Sequence, residues 1–183
     1  MELVKTITHN KFLKTCFVVI LGSILLTISA KIKIPFYPVP MTMQTFMVLF
    51  LAISFGHKIG VATVMLYLLE GVLGLPVFSN SPEKGIGIAY FVGPTMGYLI
   101  GFVFASFIAG FLKYNSNFFL TFIKLLLSTS IIYILGVLWL GNLIGWDKPI
   151  LQLGVYPFLL AELFKILLLT FLVKKILVFR NFI

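Results

Sequence analysis

The amino-acid sequence predicts an all-α integral membrane protein of six transmembrane helices, with both termini cytoplasmic and a substrate site towards the outer face. Three observations predict it. Of 183 residues, 61% are hydrophobic and only 10% charged, too little charge to cover the surface of a soluble domain of this size. The apolar residues gather in runs separated by clusters of proline, glycine, asparagine and lysine. The lysines sit at the ends of those runs, so the net charge of +9 is a topology signal and not a nucleic-acid-binding face.

Taken in order, Lys5, Lys11 and Lys14 precede a first helix over residues 12–30. Lys31 and Lys33 end it, followed by Pro35, Pro38 and Pro40, which lack the amide donor and bias their predecessors towards extended backbone. The stretch from Cys16 to Ala30 mimics a signal peptide, but it leads straight into further membrane-like sequence, and cleavage would leave an odd-numbered bundle. Cys16 has no second cysteine to pair with.

The second helix, 44–55, and the third, 59–73, are both short against the roughly 20 residues of a full span. The proline-rich loop 36–45 is therefore expected to dip into the bundle, where non-helical backbone must be protein-buried or line a cavity. At that depth Thr42 and Gln44 need polar partners. Glu70 lies near the end of the third helix, and the polar loop 79–85, with Asn80, follows.

Gly93-Pro94-Thr95-Met96-Gly97-Tyr98 opens the fourth helix, 95–112. Proline, threonine and paired glycines there predict a shaped backbone, with Thr95 and Tyr98 in a pocket wall. Gly97, Gly101, Ala105 and Ala109 form a small-residue stripe for close helix approach. After the connection 113–117, including Asn115 and Ser116, the fifth helix covers 118–140 and carries Lys124, which can snorkel to the interface. Trp139 and Trp146 are expected as interfacial anchors. The sixth helix, 158–178, ends with Lys174, Lys175 and Arg180.

Six spans place both termini on one side, which then carries eight lysines and arginines against four opposite. That excess predicts cytoplasmic termini, and residues 1–183 read as one six-helix transmembrane substrate-binding domain in the plasma membrane.

Glu162 and Lys165, three residues apart on one helix face, are either an interfacial ion pair or a pocket offering an acceptor and a cation to a polar ligand. Asn80 alone reads as a turn former more readily than as a ligand contact. His9 and His57 have no cysteine or carboxylate at ligand spacing, so no metal site is expected. No phosphate-binding loop, nucleophile elbow or paired intramembrane aspartates are present, so no ATPase activity, catalytic residue or cofactor is expected.

Four motifs, PVPMTMQT at 38–45, YLLEGVLGLPVF at 67–78, GPTMGYLIGF at 93–102 and GVYPFLLAELFK at 154–165, together resemble the BioY family. That family comprises the biotin-specific capture subunits, or S components, of energy-coupling-factor (ECF) transporters. The resemblance implies biotin as ligand, membrane lipid as surroundings, and a transmembrane coupling subunit with cytoplasmic ATPases as partners. No nucleic acid is implied. It assigns ligand contact to Asn80, Glu162 and Lys165, with the biotin carboxylate meeting Lys165 and the ureido N–H donors meeting Glu162 or Asn80.

The chain departs from the family pattern in carrying Glu162 where aspartate is common, and in lacking an arginine within residues 88–92. On the first helix Gly22 and Ala30 fit a four-residue small stripe for docking the coupling subunit, while Leu26 interrupts it. Other readings of the chain are a capture subunit for a different vitamin, or an intramembrane enzyme.

Overall fold

The computed structural model describes residues 11–114 and 117–182, with side chains through Arg180. Lys5, His9, Asn115 and Ser116 lie outside the described residues. Helix α1 spans Lys11–Lys31, and a two-stranded antiparallel ladder follows, β1 Lys33–Ile34 with β2 Met41–Thr42. Then come α2 Gln44–Phe55, α3 His57–Val72, the short α4 Ile88–Phe91, α5 Met96–Phe111 and α6 Phe118–Ile144. The short α7 Ile150–Gly154 leads through a 3-10 turn, Tyr156–Phe158, into α8 Leu159–Ile176, and a second 3-10 segment covers Leu177–Phe182.

Lys11–Lys31, Phe118–Ile144 and Ile150–Arg180 are long and apolar enough to cross a membrane, whereas Gln44–Phe55 and Met96–Phe111 are shorter apolar helices. Helix α2, about 18 Å long at 1.5 Å per residue, packs against α1, α3, α5 and α8. Its Val48, Leu49, Ala52 and Ile53 are at most 1% exposed, so this short helix is the centre of the bundle.

Between α2 and α3 the chain reverses at Gly56, whose φ of +84° is a conformation that side-chain-bearing residues avoid. Helix α6 continues past the expected stop at Leu140 because Gly141 lies under the Trp146 ring, and it ends at Gly145, φ +93°. The proline-rich segment is not simply a loop. Its start and finish pair as a ladder, with Lys33 opposite Thr42 and Ile34 opposite Met41, and Pro38, Val39 and Pro40 are buried.

The small stripe on α5 is an approach surface. A Cβ on Gly101 would stand 2.6 Å from the Ile132 Cα of α6, and one on Gly97 would strike Leu135 O. Two other expectations are corrected. The Gly22–Leu26–Ala30 face of α1 is not open for a partner: Leu26 and Ala30 have no exposed surface, and a Cβ on Gly22 would meet Thr63 Cγ2 of α3 at 2.6 Å. Trp139 is not a free interfacial anchor either, since its indole Nε1 donates to Gly93 O at 2.9 Å and pins the segment that opens α5.

Half-buried Glu70 and Arg180 find partners on other elements, whereas the buried Ser54 Oγ has none among the described residues. Glu70 accepts from Ser23 Oγ at 2.8 Å, and Arg180 donates to Ile53 O at 2.8 Å and Gly110 O at 3.0 Å. The arginine thereby satisfies carbonyls at the ends of α2 and α5 that no longer have helical donors.

Candidate functional site

The strap Val39–Thr42, the first turn of α2, the 78–79 loop, α5, α6 and the start of α8 surround a partly open cavity. It lies at the end of the bundle opposite Gly56, Lys113 and Arg180.

Of the residues singled out from the sequence, Thr42, Gln44, Thr95, Tyr98 and Glu162 line this cavity. Lys165 is not among its lining residues. Its ammonium donates to Thr42 O at 2.6 Å, Thr45 Oγ1 at 2.9 Å and Glu162 Oε1 at 2.5 Å, which uses all three of its protons. Thr45 Oγ1 in turn donates to Glu162 Oε1 at 2.8 Å. Glu162 and Lys165 are 6% and 5% exposed, so burial is compensated by a closed ring of charge-assisted bonds.

Glu162 Oε1 is thus held by Lys165 and Thr45, the Tyr133 hydroxyl also bonds to this carboxylate, and both Tyr133 and Glu162 line the cavity. Gln44 is held by three bonds: its backbone N–H bonds Thr42 Oγ1 at 3.3 Å, its Oε1 accepts from that hydroxyl at 3.2 Å, and its Nε2 donates to Tyr67 OH at 2.7 Å. Tyr98 OH donates to Gly154 O at 2.8 Å, joining α5 to α7. Tyr98 therefore presents mainly its ring to the cavity, while the Gln44 amide, with a second Nε2 proton, adds polar wall.

Asn80 lines a smaller neighbouring chamber with Lys84, Tyr90, Gly93, Pro94 and Thr95. Tyr90 and Thr95 belong to both chambers. Two lysines hold the loop that carries Asn80. Lys31 Nζ donates to Phe78 O at 2.7 Å and Ser81 O at 2.9 Å, and Lys33 Nζ donates to Ser79 O at 2.7 Å and Asn80 Oδ1 at 3.2 Å. Lys84 lies 5.5 Å from the Tyr37 ring centroid.

Sequence reasoning missed Thr45, Phe78, Tyr90, Tyr133 and Phe158, all of which line the cavity. Phe78 stacks on Tyr90 at 4.5 Å, and Tyr98 meets Tyr133 edge-on at 6.0 Å. Thr45, one residue after Gln44, was the only one of these within a stretch already marked as polar at depth.

Apolar helices around a partly open cavity with a paired carboxylate at its wall define a multi-pass membrane protein with a candidate ligand chamber. The chain belongs to the BioY family, whose sequence model matches residues 4–181. It is 36% identical over 141 residues to a Pyrococcus horikoshii protein named probable biotin transporter BioY, covering 77% of this chain and 82% of that one. It is 38% identical over 143 residues to biotin transporter BioY of Thermotoga maritima, covering 78% and 83%. Its fold is similar to a crystal structure described as the S-component for biotin from an ECF-type ABC transporter, with a TM-score of 0.76 and 26% identity over 92% of this chain and 93% of that one.

Proposed function

We propose that this protein captures biotin outside the cell, as the substrate-binding subunit of an ECF transporter in the plasma membrane. The observation that carries the reading is the likeness to a biotin S-component over 92% of the chain, with a partly open cavity at one end of the bundle. The chain is then a transport subunit and not an enzyme. A coupling subunit and cytoplasmic ATPases supply the energy.

In this reading residues 1–183 are a single substrate-binding domain whose six spans are α1, α2 with its strap, α3, α5, α6 and α8. The lysine excess at the end carrying Lys58, Lys113 and Arg180 favours its placement in the cytoplasm, which turns the cavity outward.

Glu162 accepts from the ureido N–H groups of biotin beside Thr45, and the aromatic walls cover the fused rings. Lys165 is a positioning residue: its protons are committed to Thr42, Thr45 and Glu162, so it orients the carboxylate instead of meeting the ligand's own. The biotin carboxylate extends past Thr95 into the chamber of Asn80 and Lys84, where an amide donor and a cation are at hand.

Calorimetric titration of the purified chain with biotin tests this reading. Saturable one-site binding supports it. Heat with another vitamin but none with biotin reassigns the ligand, and chemical turnover by the isolated chain overturns the transport assignment.

A further inference from the structure

At the opposite end of the bundle from the cavity, an open groove runs between the first turns of α6 and the last turns of α8. Its two sides differ in chemistry. Phe118 and Phe171 line it, and Phe171 and the adjacent Phe119 are each 70% exposed, a surface suited to acyl chains. Asn117 and Lys174 supply polar donors at its end. The Asn117 Oδ1 is engaged by Leu120 N at 3.0 Å, which directs the amide's remaining capacity to its NH2 group.

Among the described residues the charge around this groove has one sign. Lys58, Lys113, Lys124, Lys174, Lys175 and Arg180 belong to this end. The described carboxylates Glu70, Glu83, Asp147 and Glu162 all belong to the cavity half, and Lys174 makes no ion pair among the described residues. Phe118 and Phe171 pack with ring centroids 5.0 Å apart into one aromatic wall, and such a wall beside an ammonium with no carboxylate near it among the described residues is complementary to an amphiphile with a negative head.

We propose that this groove seats one anionic phospholipid, its phosphate at Lys174 and Asn117 and an acyl chain along Phe118 and Phe171. The proposal is independent of the ligand assigned to the cavity. Native mass spectrometry of the detergent-purified chain, titrated with dioleoylphosphatidylglycerol or dioleoylphosphatidylcholine, tests it.

The expected result is one phosphatidylglycerol retained per chain at concentrations where phosphatidylcholine dissociates. Lys174→Gln should weaken that retention about fivefold, the effect of one lysine near an anionic head. Lys174→Arg should restore it, and Lys175→Gln, outside the groove, should leave it unchanged. Equal retention of the two lipids, or equal losses from the Lys174 and Lys175 variants, overturns the proposal. So does full competition by inorganic phosphate, which would mean that no acyl chain is recognised. An unaltered thermal unfolding midpoint in lipid-free detergent verifies that each variant is folded.

Discussion

Lys165 Nζ donates to Thr42 O at 2.6 Å across 123 positions of chain. The bond ties the last long helix to the strap that covers the cavity, and the same ammonium holds Glu162. Lys165→Met should therefore leave a buried, unpaired carboxylate, lower stability by about 3–5 kcal/mol, and weaken biotin binding as well. Thermal unfolding in detergent checks the first effect. The double variant Glu162→Gln with Lys165→Met should regain part of the stability but not the affinity, because the unpaired charge is gone while the charged acceptor has become a neutral amide.

Glu162→Gln alone removes both the charged ligand contact and the counter-charge of Lys165, so its affinity is read beside its thermal unfolding midpoint. The amide can still accept from Thr45, but it loses the charge-assisted bond to the ligand, a difference of about 10- to 100-fold in biotin affinity. Calorimetry that finds the affinity unchanged would remove Glu162 from the contact set.

The orientation of the ligand has its own signature. Asn80→Ala and Lys84→Met should each weaken biotin binding, by about 5- to 10-fold for loss of one exposed charge-assisted partner. Neither should affect biotinamide, which lacks the carboxylate. Equal losses for the acid and the amide would place that end of the ligand elsewhere.

Close approach of α5 and α6 depends on the absence of a side chain. Gly101→Ala would put a methyl group 2.6 Å from the Ile132 Cα, closer than backbone permits, and should cost about 1–3 kcal/mol through forced separation of the helices. A thermal midpoint equal to that of the wild type would show that α6 can retreat freely.

Much of the architecture is legible in local sequence. The second helix has the bounds expected of it, Gln44–Phe55, because prolines bar helix before it and Gly56 breaks helix after it. The pairing of Glu162 with Lys165 follows from helical periodicity. The inward position of Thr42 and Gln44 follows from the shortness of α2, which leaves the strap to complete it. Family membership is equally legible, since four ordered motifs carry it.

The sequence by itself determined an apolar helical chain, the stretches that become its helices, and the polar residues that would need partners in its interior. Tertiary structure alone decided which partner each one took. Lys165 meets a backbone carbonyl, which no residue type encodes. Trp139 is held by Gly93 O, and Leu26 packs within the bundle instead of facing a partner. Tyr133 and Phe158 reach the cavity only because α6 and α8 converge there. Hydropathy and periodicity are properties of neighbours in the chain, whereas the facing of a side chain is set by how helices distant in sequence cross.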